Sequence, residues 1–150
     1  MSVSQGPTQL IPNQLLAALP ADEYQRLIPE LKLISLPVKQ VLYEPGELIR
    51  YIYFPHQSLI SLVSTMEDGS TVEVGVVGNE GIVGVPVIWG GNTTINRALV
   101  QVADSAMRIE TSRLLAEFKR GGTLPSLLLR YTQVLLTQVS IWRPATASIL

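Results

Sequence analysis

The chain of 150 residues contains no cysteine, which excludes disulfides and thiolate metal sites and fits a reducing compartment. It contains one histidine, His56, too few imidazole ligands for a barrel enzyme that gathers several histidines and a carboxylate around a metal. Charge is scarce as well. Asp, Glu, Lys and Arg make up 15% of the residues, against roughly 25% in ordinary soluble domains. The net charge of −1 leaves no basic face for nucleic acid. No uncharged apolar run reaches the ~18 residues of a membrane helix, and the start of the chain lacks the basic and apolar regions of a signal peptide. No nucleophile elbow, Walker loop or dinucleotide fingerprint occurs, and the stretch GNEGIVG at 78–84 is expected not to open a helix. The acidic residues Glu44, Glu47, Glu67, Asp68, Glu73 and Glu80 are spread over turns and strands as solvated side chains. Catalytic residues, metal ligands and a resident cofactor are therefore not expected.

Apolar material is plentiful. A hydrophobic fraction of 47% can fill one sizeable core, and the low charge leaves apolar surface for a partner. Residues 1–12 read as a frayed start. Tyr24, Leu27, Ile28 and Leu31 follow Asp22 and Glu23 at helical spacing, and Pro29 should end that helix near Ile28. Short β-rich runs come next at 39–43, 51–54 and 59–64, with a turn at 44–47 and a hairpin signal at Asp68-Gly69. Strands at 97–103 and 106–110 complete a closed or nearly closed antiparallel set. Thr111-Ser112 offers an N-cap to a short helix that Gly121-Gly122 ends, and Thr123 can cap a longer one with Pro125 in its first turn.

The stretch 71–101, TVEVGVVGNEGIVGVPVIWGGNTTINRALVQ, organises the rest. It reads as strand, glycine turn, short strand, loop and strand, with Gly78, Gly81 and Gly84 bending the backbone between β-branched residues. This pattern, together with VLYEPGELIRYIYFPHQSLISLV, resembles the phosphate-binding cassette and barrel of the cyclic-nucleotide-binding domain in the Crp/Fnr family of bacterial transcription regulators. The resemblance covers residues 15–138. It implies a mainly β, α+β fold: an antiparallel double-stranded β-helix or jelly-roll-like β-roll over 13–122, with flanking N- and C-terminal helices. Gly84 stands for the cassette glycine, Val85 for its ribose-binding glutamate, Arg97 for its phosphate-binding arginine and Ala98 for its serine. Half of the nucleotide chemistry is therefore replaced. A shift of one residue in strand register would put Asn96 in the arginine position instead. Trp89 either covers a pocket mouth, stacks on a planar ligand or packs into the core.

Leu124, Leu128, Tyr131 and Leu135 form one stripe of the last helix, 123–142, with Leu127 and Val134 beside it. The resemblance makes this the dimerisation helix, with those four residues at the interface of a homodimer. In the family it leads into a winged helix-turn-helix, whereas a tail at 143–150 is expected here, so DNA would be reached only through a domain absent from this sequence. The expected protein is a cytoplasmic sensor with a pocket degenerate for cyclic nucleotides and an unidentified small-molecule effector. Two alternatives are a cyclic AMP or cyclic GMP receptor that uses Arg97 with the backbone amides from Gly81 to Val85, and a cupin-like metal enzyme.

Overall fold

The computed structural model describes residues 11–147, with side chains placed as far as 138. Two short helices, α1 (Gln14–Ala17) and α2 (Ala21–Leu27), open the chain. Asn13 caps α1 by accepting from the amides of Leu15 and Leu16, and Asp22 and Glu23 sit in the first turn of α2 where the helix dipole favours them. Pro29 ends α2 as expected, converting its continuation into a 3₁₀ turn at Ile28–Glu30.

Seven antiparallel strands follow: β1 (Lys32–Leu36), β2 (Val41–Tyr43), β3 (Tyr51–Pro55), β4 (Leu59–Thr65), β5 (Thr71–Val77), β6 (Arg97–Val102) and β7 (Asp104–Glu110). They form two sheets, ordered β1-β7-β3 and β2-β6-β4-β5. Ala103 alone separates β6 from β7, so the chain crosses from one sheet to the other at a single corner. The inner faces share one apolar cluster that includes Ile52, Phe54, Ile60, Val77, Val100 and Ile109. This is the β-roll expected from the sequence.

Local chemistry sets the turns. Gly69 has φ +89°, and the Asp68 carboxylate accepts from the Ser70 amide (2.9 Å) and hydroxyl (2.6 Å), which closes the β4–β5 hairpin. The run expected as a strand from 39 begins only at Val41, because Lys39 has φ +74° in a turn whose Gln40 amide donates to Pro37 O at 3.2 Å. Helix α3 (Thr111–Arg120) lacks the expected hydroxyl cap, since Thr111 Oγ1 donates instead to Ile49 O at 2.9 Å.

Helix α4 (Thr123–Ala147) continues through Pro144, beyond the boundary expected at 142. A proline lacks the amide that would donate four residues back and its ring crowds that carbonyl, an effect confined here to the last turn of the helix. Its N-terminal cap comes from elsewhere: the Glu23 carboxylate accepts from the amides of Thr123 (2.9 Å) and Leu124 (2.9 Å). These bonds hold the Glu23 carboxyl below its ordinary pKa against the opposing effect of burial. Among the described residues no helix is long and apolar enough to cross a membrane.

Candidate ligand pocket

Between β5 and β6 the backbone makes the glycine turn on which the site is built. Gly81 N donates to Gly78 O (3.2 Å), and the Glu80 carboxylate accepts from Gly78 N (3.3 Å). The turn is gripped from two sides. Asn13 Nδ2 donates to Pro55 O and to Gly81 O, each at 3.0 Å, and Gln14 N donates to Asn79 O at 2.7 Å. On the opposite side lies Tyr131 of α4, whose ring would overlap a β-carbon placed on Gly81. Gly81 thus allows the helix to approach the turn. The Tyr131 hydroxyl is buried without a hydrogen-bond partner, and burial, with the Glu80 charge adding to it, raises its pKa so that it stays protonated.

The segment after the turn differs from the short strand expected. Only Val83 pairs, exchanging backbone bonds with Tyr53 at 2.9 and 3.1 Å, and the chain then enters a 3₁₀ helix at Val85–Trp89. Pro86 at its start fixes φ without losing a needed donor, and Gly84, at φ +121°, supplies a conformation that side chains rarely adopt. A β-carbon on Gly84 would overlap Ile52 Cδ1. The glycine stretch therefore does open a helix, though one of five residues.

These elements enclose a cavity of about 570 Å³ between the four-stranded sheet and α4. Its floor is a row across neighbouring strands in which Tyr43 of β2 faces Ala98 of β6, Ala98 faces Leu62 of β4, and Leu62 faces Gly75 of β5. Ala98 is the small residue of that row on the cavity wall, whereas the space over Gly75 is taken by Leu62 Cδ1 and Leu135 Cδ1, 3.6 and 3.7 Å from where a β-carbon would sit. Val83, Val85 and Pro86 form one wall, Thr94, Ile95 and Asn96 another, and Thr132, Leu135 and Leu136 of α4 the roof. Among the described residues, no charged side chain lines it. The hydroxyls present are engaged within the fold. Tyr43 OH donates to Tyr51 O, Thr132 Oγ1 to Leu129 O (2.7 Å) and Thr94 Oγ1 to Asn96 O (3.2 Å). Burial pushes the Tyr43 pKa well up, which keeps this phenol neutral.

Of the residues singled out in the sequence, Gly84, Val85, Trp89 and Ala98 line the cavity, and Gly81 supports it from the glycine turn. Trp89 does not pack into the core: it is 64% exposed at the cavity. Arg97 is not on the wall. Its neighbours Asn96 and Ala98 are, and alternation along β6 directs Arg97 to Glu44, 2.9 Å away. Leu124, Leu128, Tyr131 and Leu135 of α4 are buried in the chain's own core. Among the described side chains of α4, the exposed apolar residues are Leu129, Val134 and Leu136, at 38%, 50% and 58% exposure. Leu62, Thr94 and Ile95 were missed by sequence reasoning, since their place on the wall depends on strand register and loop path. His56 lies at the end of β3, with Nδ1 2.9 Å from Ser105 Oγ. No group of three or more His, Cys, Asp or Glu able to hold a metal occurs among the described residues.

No family model matches the chain, and no curated protein does. Solved structures do match. The sensor domain of the transcriptional regulator DNR from Pseudomonas aeruginosa is 16% identical, with a TM-score of 0.69 over 92% of this chain and 93% of that one. CooA from Carboxydothermus hydrogenoformans is 13% identical, with a TM-score of 0.71 over 88% of this chain and 84% of that one. CLP, the c-di-GMP responsive global regulator of Xanthomonas campestris, is 16% identical, with a TM-score of 0.69 over 84% of this chain and 65% of CLP. The chain thus has the cyclic-nucleotide-binding-type β-roll found in regulator sensor domains.

Proposed function

We propose that the chain is the effector-sensing domain of a Crp/Fnr-type transcription regulator, non-enzymatic and cytoplasmic, which dimerises through α4 and reaches DNA through a separate domain. The observation that carries this reading is the cavity shared by β-roll and helix. A molecule inside it touches Ala98 and Leu62 on the sheet and Thr132, Leu135 and Leu136 on α4. Its binding therefore depends on how the helix is seated, and the differential affinity for two helix positions is what couples a ligand to a distant output. Leu136 lines the cavity and is also exposed on the outer face of α4. With Leu129, seven positions earlier and so on the same side of the helix, it supplies apolar surface for a second copy.

The pocket is degenerate for cyclic nucleotides on this reading. Val85 cannot accept from ribose hydroxyls, and Arg97 is occupied by Glu44 outside the cavity wall. Cyclic AMP and cyclic GMP at millimolar concentration are expected to leave the melting temperature unchanged. A ligand present at one hundred times its Kd would add about 2.7 kcal/mol, a rise of several degrees in a domain of this size. Such a rise, abolished in Arg97→Ala, would establish a cyclic-nucleotide receptor instead. Sedimentation equilibrium at micromolar concentration tests the dimer: the wild type should associate and Leu136→Glu should be monomeric. A wild type that is strictly monomeric removes the self-association from the proposal.

A further inference from the structure

Resting on the sensor reading, we infer that the effector of this pocket is a small, uncharged, largely apolar molecule. Size alone does not select it, because about 570 Å³ falls within the roughly 300–1,000 Å³ of ordinary small-molecule sites, charged ligands included. Wall chemistry does. The floor contributes Leu62, Ala98 and the Tyr43 ring, the sides Val83 and Val85, and the roof Leu135.

A phosphate or carboxylate placed there would leave water without meeting a cation. Arg97 is bonded to Glu44, and the residues on either side of it, Asn96 and Ala98, are the ones on the wall. Moving a charge into such surroundings without a partner costs more than packing the rest of the molecule can return. A cationic ligand fares no better, since no carboxylate lines the wall among the described residues.

The polar groups restrict the choice further. Tyr43, Thr94 and Thr132 already donate to backbone carbonyls, so a ligand that used their protons would have to break bonds within the fold. The remaining polar residues of the wall are Asn96 and the largely exposed Trp89, both suited to a neutral hydrogen-bonding function such as a carbonyl or hydroxyl. One polar function on an apolar body is the ligand class that leaves neither partner unsatisfied.

Two fluorophores with the same pair of aromatic ring systems test this: neutral N-phenyl-1-naphthylamine and 8-anilinonaphthalene-1-sulfonate, which adds one negative charge. The neutral dye should bind the wild-type chain saturably, with one site per chain and blue-shifted emission. The sulfonate should bind at least about tenfold more weakly, a difference of roughly 1.4 kcal/mol. Ala98→Leu should fill the floor and weaken the neutral dye by about tenfold or more. Val85→Phe narrows the cavity from another wall and replaces the first variant should that one fail to unfold cooperatively. Equal or tighter sulfonate binding overturns the inference, as does displacement of the neutral dye by cyclic AMP. So does the lack of a saturable site, or dye binding unchanged in both filled variants. Sedimentation equilibrium on the same samples separates the two claims. A wild-type dimer that fails to bind the neutral dye refutes the ligand class alone, and a dye-binding monomer refutes the self-association alone.

Discussion

His56 illustrates how one side chain can make the fold sensitive to pH. Its amide donates to Ser105 O (3.0 Å), its Nδ1 meets Ser105 Oγ, and its Nε2 is buried without a partner. Burial lowers its pKa from 6.5, with the Asp104 charge offsetting part of the effect. The unfolded chain then binds a proton more readily than the folded one, so the stabilisation is fully present above pH 6.5 and declines as pH falls through the lowered folded value. In urea unfolding the His56 contribution should therefore hold from pH 7.5 to 6.5 and fall below 6.5, and His56→Asn should flatten that fall. Gly81 makes a steric case at the same scale. Gly81→Ala should destabilise by about 1–3 kcal/mol through overlap with the Tyr131 ring. Adding Tyr131→Ala should recover part of that loss in a double-mutant cycle, because the obstructing ring is gone. Glycine at 81 was legible as a turn residue, but the ring facing it lies on a helix fifty residues later in the chain. Arg97 and Asn96 were recognised as alternatives separated by one step of register. The register of β6 follows from its own pairing, which includes irregularities at Leu59/Ile60 in β4 and at Val41/Tyr43 in β2, and no local pattern in β6 encodes it.

At the scale of elements, the cap on α4 matters most. Gly122 has φ +87°, and a β-carbon there would lie 2.8 Å from Glu23 Oε2, so glycine both turns the chain and admits the carboxylate. Glu23→Ala should cost about 0.5–2 kcal/mol, the range for loss of an N-cap. Differential scanning calorimetry would register this as a fall of a few degrees. Because the Glu23 pKa is lowered from 4.5, its contribution is complete above that value and fades as pH drops through the folded pKa. The sequence showed the helix, its glycine stop signals and its apolar stripe. It suggested Thr123 as the cap because hydroxyls beside a helix start are local signals, whereas Glu23 is 100 residues away. The stripe was visible too, but periodicity cannot tell which side of a two-sided apolar helix meets its own sheet. Leu128 is 0% exposed beneath α4, and Leu128→Ala should cost about 2–5 kcal/mol while leaving the oligomeric state unchanged, the reverse of Leu136→Glu.

Across the whole molecule, the β-roll was readable because its signals are short and repeated: alternating apolar runs, glycine turns and one hairpin dipeptide. The cavity was less so, since it is what remains when a small residue on a strand faces a helix across a gap. Two of the polar residues that tie the N-terminal segment down also affect how the protein is made. Asn13 finds an acceptor on Gly81, 68 residues later, and Glu23 bonds amides 100 and 101 residues later. At a synthesis rate of roughly 5–20 residues per second, the ribosome delivers the partner amides of Glu23 only about 5–20 s after Glu23 itself. The nascent N-terminal helices wait through that interval without their anchors, and the start of α4 completes the knot only as translation nears the end of this sequence.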